Sequence, residues 1–196
     1  MTRCFATRAT TRRSPSKEAV DLKDIKRQFY AFRNGVVADS LRKAGDPHHV
    51  IFGLNLPQLA QIAQMAGQSV ELAEQLWQNV TTRESRLLAP MVYPRDQFDA
   101  ATAVRWAASV ECVETADIFC HKLLRYTSYA EDFYIRQYGS GGDMARYLAL
   151  RLAANLLALG RGVDRDVLGA VVQAEIGRGC KLTAAVAAQL LDESDL

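Results

Sequence analysis

An aspartate and an arginine that lie among apolar residues are the strongest candidates for chemistry in this sequence. Asp117 lies in the segment VETADIFCHKLL. On a helix, the apolar stripe of this segment would consist of Val113, Ala116, Cys120, Leu123 and Leu124. Further along, Tyr147, Arg151 and Asn155 recur every four residues and therefore share one helix face. A carboxylate within an apolar stripe is either partly buried with a partner or lines a concave surface. Two interpretations stay open: a salt bridge that joins two helices, or a functional site that contains both charges.

A second charged cluster lies in the segment LWQNVTTRESRLLAPMVYP. Thr81 and Glu84 have the spacing of a capping box, in which each side chain accepts a hydrogen bond from the other's backbone N–H. Trp77 belongs to the preceding amphipathic helix, so Trp77 and Glu84 are predicted to support the fold. Arg83 and Arg86, three residues apart, are predicted to project from one side of the new helix.

The histidines and cysteines do not form a metal-binding or nucleophile motif. His48 and His49 are adjacent and therefore point apart, with no third ligand nearby in the sequence. Cys120 belongs to the apolar stripe, where a buried, inert thiol is the ordinary interpretation. The four cysteines have neither metal-like nor disulfide-framework spacing. We therefore predict neither a metal nor a cofactor.

The charge of the chain is unevenly distributed. Residues 1–17 contain five basic residues and no acidic one, which predicts a disordered basic tail. The remaining 19 basic and 22 acidic residues leave residues 18–196 at a net charge of −3, so a nucleic-acid role requires a local basic patch. No apolar run approaches the ~20 residues of a membrane-spanning helix, and we predict no membrane association.

The elements that must position these side chains are helices. Apolar residues follow a 3.6-residue period through most of the chain, and no convincing strand alternation occurs. Predicted helices span about 20–43 (broken near Asn34-Gly35), 83–92, 97–109, 113–126, 128–138, 142–159, 165–177 and 181–191, with two more around 59–66 and 73–80. Many short helices joined by short turns favour an all-α solenoid of HEAT-like repeats, an α-α superhelix, over residues 18–196. A compact helical bundle is the alternative.

Three stretches resemble the AlkD-type family of DNA alkylation-repair glycosylases, which are built from HEAT-like repeats. Gly53 and Pro57 match the family's GxxxP step into a helix, and Trp77 and Glu84 match its tryptophan–glutamate pair. The segments that contain Asp117 and Arg151 look like its aspartate-bearing and arginine-bearing helices. The likeness covers roughly residues 35–160.

The resemblance implies an enzyme that binds duplex DNA on a concave face and excises cationic N3- or N7-alkylpurines. Asp117 would then stabilise the developing positive charge and Arg151 would hold the adjacent phosphate. The sequence has Val113 where the family places a tryptophan, and the C-terminal segment has no counterpart of a further family aromatic.

Candidate DNA contacts outside the Asp117–Arg151 pair are basic or aromatic helix residues. They are Arg42, Lys43, Arg83, Arg86, Arg146 and Tyr147. The implied location is the cytoplasm, at the nucleoid when the protein is bound to DNA. The alternative function is a non-catalytic HEAT-like scaffold that binds DNA or a protein partner on the same face.

Overall fold

The computed structural model describes residues 20–193, and the basic tail of residues 1–17 lies outside that range. Within it, the chain forms eleven α-helices: α1 Leu22–Ala31, α2 Gly35–Lys43, α3 Leu56–Ala66, α4 Val70–Gln78, α5 Arg83–Val92, α6 Ala100–Ala107, α7 Val113–Lys122, α8 Ala130–Gly139, α9 Asp143–Ala158, α10 Arg165–Arg178 and α11 Ala184–Glu193. Short 3-10 helices follow α5 and α7, at Arg95–Gln97 and Leu124–Tyr126. The all-α prediction is confirmed, because the β-structure of the described residues is limited to one isolated bridge between Val50 and Thr82.

Polar side chains begin several helices where the sequence changes from loop to apolar periodicity. Asn55 and Gln58 form a reciprocal capping box at the start of α3, and Pro57 occupies its first turn, where the missing N–H costs nothing. Asp21 and Asn34 cap α1 and α2 through their side-chain oxygens. The predicted break near Asn34-Gly35 is confirmed by the separation of these two helices.

Gly53 allows the loop before α3 to approach α2 closely. Its φ is 81°, and a Cβ at this position would collide with the carbonyl oxygen of Asn34 and lie 2.8 Å from the amide nitrogen of Ala38. The glycine of the predicted GxxxP step therefore has a physical role in packing α2 against the chain that enters α3.

From α3 onward, each odd-numbered helix packs against the next odd-numbered helix. Helices α3, α5, α7, α9 and α11 lie side by side in chain order, and α4, α8 and α10 each pack against the helix that follows them. This arrangement is a stack of helix pairs, in which one layer contains both α7 and α9. That layer brings Asp117 and Arg151 onto neighbouring helices.

The core beneath α7 is aromatic. The rings of Trp77 and Trp106 stack with centroids 4.1 Å apart, and Phe119 of α7 packs against both at 5.2 and 5.7 Å. All three side chains are almost fully buried. Burial of rings of this size makes the position of α7 rigid, and with it the position of Asp117. No helix of the described residues is long and apolar enough to cross a membrane.

Candidate nucleic-acid interface

Asp117 and Arg151 form a two-point ion pair between α7 and α9. The Nε of Arg151 donates to Oδ1 of Asp117 at 2.7 Å, and its Nη2 donates to Oδ2 at 3.3 Å. The hydroxyl of Tyr147, one turn earlier on α9, donates to the same Oδ1 at 2.8 Å. Burial, together with the hydrogen bond to Asp117, raises the pKa of Tyr147, so it remains a donor at neutral pH. Three donors therefore fix the orientation of the carboxylate.

The Asp117–Arg151 pair is open to solvent. Each side chain keeps 30% of its surface exposed, whereas the side chains of Arg83 and Glu84 keep 6% and 0%. The pair lies at a cleft of about 390 Å³ that α7, α9 and α11 form. This cleft, the basic cleft, is lined by Leu56, Asp117, Ile118, His121, Arg125, Arg151, Ala154, Asn155, Ala158 and Gln189. Asp117 and Arg151 thus lie on a concave part of the surface.

Three further polar side chains line the basic cleft on the C-terminal side of Asp117. His121 and Arg125 both interact with Oδ1 of Asn155, at 3.2 and 3.4 Å. Burial lowers the pKa of His121, and the neighbouring cations Arg125, Lys122 and Arg151 lower it further. Our sequence interpretation missed His121 and Arg125. The signal was present, since they follow Asp117 at intervals of four residues and so share its helix face.

A second cleft, of about 640 Å³, lies on the other side of Asp117 and carries the opposite charge. Its lining includes Asp46, Glu111 and Glu114, with Asp117 at the shared edge. An acidic surface repels phosphates, whereas the basic cleft attracts them. The aspartate therefore lies where the sign of the surface charge changes.

Arg83 and Glu84 are buried, which corrects two expectations. The carboxylate of Glu84 is fully buried and accepts hydrogen bonds from the backbone N–H groups of Phe52, Gly53 and Leu54 at 3.1, 2.9 and 3.3 Å. It forms no capping box with Thr81, because α5 begins after Thr82 without a side-chain cap. The guanidinium of Arg83 lies between Glu84 and Glu114. It is 5% exposed and does not project toward solvent.

Arg86 is also inside the protein, against Trp77. Its guanidinium lies 3.7 Å from the centroid of the Trp77 ring, and it donates to the backbone carbonyls of Trp77 and Ser109. Burial lowers the pKa of Arg86 to about 10, so it stays charged at neutral pH. The expectation that Arg86 projects from an exposed side is wrong, because its donors are used by carbonyls and an indole ring. Trp77 lies in the core, in contact with it.

The remaining candidate contacts differ in accessibility. Arg146 is held by Glu175, Asp143 and the carbonyl of Gly141, with 12% of its side chain exposed. Arg42 is half exposed and paired with Asp39, and Lys43 is exposed at the end of α2. Tyr147 is almost fully buried and contributes through its bond to Asp117.

The other polar motifs do not form a site. The Nδ1–H of His48 donates to the carboxylate of Asp46 at 2.8 Å. Burial raises the pKa of the Cys120 thiol. Val113, which was assigned to the apolar stripe of α7, is 36% exposed because it begins the helix at the rim of the second cleft, which Asp46, Glu111 and Glu114 line. Across residues 20–193, no group of three or more His, Cys, Asp or Glu side chains is arranged to hold a metal ion.

The fold and the charged cleft together define a helical-repeat protein with a polar groove across one layer of helices. A family model described as "DNA alkylation repair enzyme" matches residues 25–136, and the chain belongs to that family. The matched region contains Trp77, Glu84 and Asp117 and ends before Arg151.

Comparison with solved structures confirms the HEAT-like fold over the compact bundle. The chain is similar to a structure described as "A new family of proteins related to the HEAT-like repeat DNA glycosylases with affinity for branched DNA structures". The TM-score is 0.76 at 15% sequence identity, and the match covers 89% of this chain and 75% of that one. At this identity the likeness establishes the fold alone. A search of curated proteins gives no match.

Proposed function

We propose that the protein binds duplex DNA along the basic cleft and hydrolyses the N-glycosidic bond of cationic N3- or N7-alkylpurines. The observation that supports this most directly is the exposed carboxylate of Asp117, which Arg151 and Tyr147 hold at the cleft. Membership of the DNA alkylation repair enzyme family supports the same substrate class.

An alkylpurine that carries a positive charge needs little help from an acid. When its bond to C1′ breaks, the base takes the bonding electron pair and leaves as a neutral molecule, and positive charge develops on the sugar. The carboxylate of Asp117 would stabilise that charge because its orientation is fixed before the reaction. A water oxygen then bonds to C1′ and releases a proton to solvent. Arg151 would hold the neighbouring phosphate through the guanidinium edge that faces the cleft.

The test is release of 7-methylguanine from methylated duplex DNA by the wild-type protein and by Asp117→Asn. This substitution preserves the shape of the side chain and removes its charge. We expect release by the wild type and a loss of ~10²-fold or more in the variant, the magnitude typical of a preorganised electrostatic group. Asp132→Asn, an exposed carboxylate on α8, is the matched control and should release base at the wild-type rate. Equal rates for wild type and Asp117→Asn would refute the assigned role.

A binding-only function is the second candidate, and the lining of the basic cleft favours it. No phenylalanine, tyrosine or tryptophan is among the described residues that line this cleft, and the exposed Val113 replaces the family's tryptophan. The similar solved structure belongs to proteins with affinity for branched DNA. If the wild type releases no base yet binds a four-way junction more tightly than a linear duplex of equal length, this candidate is correct. A protein-binding scaffold would instead retain one stoichiometric protein and no DNA.

A further inference from the structure

Two arginines contact the same tyrosine at the C-terminal end of the basic cleft. The guanidinium carbon of Arg95 lies 3.6 Å from the ring centroid of Tyr126, and that of Arg125 lies 4.8 Å from it. Nη2 of Arg125 also donates to the Tyr126 hydroxyl at 2.6 Å. Arg95 and Tyr126 are exposed, and they come from the two short 3-10 helices that follow α5 and α7. We call Arg95, Arg125 and Tyr126 the arginine–tyrosine cluster.

The basic side chains of the cluster have no acidic partner among the described residues. Among the residues that the structure describes, no carboxylate lies within 4 Å of Arg95, Arg125 or the nearby Lys122. The arginines 42, 83, 105, 146, 151 and 161 each have an acidic partner. Although burial alone would raise it, the pKa of Tyr126 is lowered, because Arg125, Arg95 and Lys122 all favour the phenolate. The local field is therefore positive.

The cluster continues the same surface as the Asp117–Arg151 pair. Arg125 lines the basic cleft and contacts Asn155, which stands one turn after Arg151 on α9. Arg125 lies eight residues after Asp117, in the 3-10 helix Leu124–Tyr126 that follows the end of α7 at Lys122. The cluster therefore lies beyond the C-terminal end of the helix that carries Asp117, and it would face a different phosphate from the one at Arg151.

We infer that the arginine–tyrosine cluster is a phosphodiester-binding subsite for the DNA backbone, separate from the phosphate that Arg151 would hold beside the nucleotide facing Asp117. This inference rests on the proposed binding of duplex DNA and adds a defined second contact to it. A guanidinium presents several donors to a phosphate in one plane. Tyr126 keeps both guanidinium groups in place, so less side-chain freedom is lost when DNA binds.

A positional scan tests the subsite. Each duplex contains a tetrahydrofuran abasic analogue, and one of its phosphates is replaced by a neutral methylphosphonate. The replaced position differs from duplex to duplex along each strand, and the affinity of each duplex is measured. We expect one position on one strand, away from the phosphates that flank the analogue, at which the methylphosphonate weakens wild-type binding. The Arg95→Gln/Arg125→Gln variant should be insensitive to that position. Its log–log salt slope should be smaller by ~0.9 for each lost contact.

Two controls keep the scan interpretable. Arg95→Gln alone removes an exposed side chain whose recorded partner is the Tyr126 ring, so the fold should persist while the slope falls by ~0.9. Arg136→Gln removes an exposed arginine from α8 and should leave slope and scan unchanged. If both Arg95 variants kept the wild-type salt slope, the subsite would be refuted and the proposed binding of duplex DNA would stand. A wild type that binds no duplex would instead refute the proposed function.

Discussion

Arginine–carboxylate contacts occur in two settings in this protein, and their surroundings separate them. Arg83 lies between Glu84 and Glu114 with 6% of its side chain exposed, whereas Arg151 pairs with Asp117 with 30% of each side chain exposed. Glu84 receives three backbone N–H groups in addition to Arg83. Both carboxylate oxygens of the buried Glu84 thus have partners within the fold, while the Asp117–Arg151 contact retains a surface for a ligand.

The difference teaches that residue type alone does not identify a DNA contact. When one partner of a buried ion pair is removed, the other is left as an uncompensated charge in the interior. The free energy of unfolding therefore falls. A partly exposed pair contributes less to stability, so its loss is expected to show in DNA binding and catalysis. Substitutions in the two settings should therefore affect different observables.

The largest expected effect is loss of stability at the buried contact. Glu84→Ala removes the acceptor of three backbone N–H groups and a partner of Arg83. We expect the free energy of unfolding to fall by about 3–5 kcal/mol, a large share of the total for a domain of this kind. Urea denaturation followed by circular dichroism measures it. Glu111→Ala, an exposed carboxylate, should change stability by less than about 0.5 kcal/mol. If both variants lost a similar amount of unfolding free energy, the hydrogen bonds of Glu84 would contribute no more to stability than an exposed carboxylate does.

The next effect is on DNA binding at the open pair. Arg151→Gln should lower the unfolding free energy by no more than about 1 kcal/mol, because the pair is partly solvated. It should weaken duplex binding and reduce the log–log salt slope by ~0.9, because one phosphate contact is lost. Fluorescence anisotropy with labelled duplex over a salt series provides both values. If Arg151→Gln lost as much unfolding free energy as Glu84→Ala and kept the wild-type salt slope, Arg151 would have a structural role, like Arg83 and Arg86, and no phosphate contact.

The smallest effect is a pH dependence of binding. Burial and the cations Arg125, Lys122 and Arg151 hold the pKa of His121 below its ordinary value of 6.5, so it is neutral in the free protein at pH 7. A bound phosphate favours the protonated ring, so binding takes up a proton. Affinity should therefore rise as the pH falls from about 7.5 to 5.5, by up to about tenfold for a change of one pKa unit. His121→Gln should flatten the profile. An equally steep profile in that variant would assign the proton to another group.

Local sequence signals predicted most of the helical architecture. The apolar period, Pro57 and the Asn34-Gly35 break correspond to helices and a boundary in the structure. A salt bridge between Asp117 and Arg151 on facing helices was one of the two interpretations of these charged residues, and the contact is present. The helices and their boundary depend on neighbours within a few turns, which periodicity describes well. The Asp117–Arg151 contact joins residues 34 apart in the sequence, and it was anticipated from the positions of the two charges in apolar segments.

Burial of Arg83 and Arg86 could not be predicted in the same way. They have partners that are distant in the sequence, since Arg83 contacts Glu114, 31 residues later, and Arg86 contacts Ser109, 23 residues later. A helix face that carries two arginines looks solvated until the loops that cover it are placed. The arginine–tyrosine cluster was missed for the same reason, because Arg95 and Tyr126 meet across two repeats.

Arginine labelling with and without DNA tests the account most directly. A dicarbonyl reagent such as phenylglyoxal, with mass spectrometry of the peptides, reports the accessibility of each guanidinium. We expect Arg95 and Arg151 to react in the free protein and to be protected by duplex DNA. Arg136 on α8 should react equally in both states, and the buried Arg83 and Arg86 in neither. Protection of Arg136 with continued reaction of Arg95 and Arg151 would place DNA on another face and contradict the account.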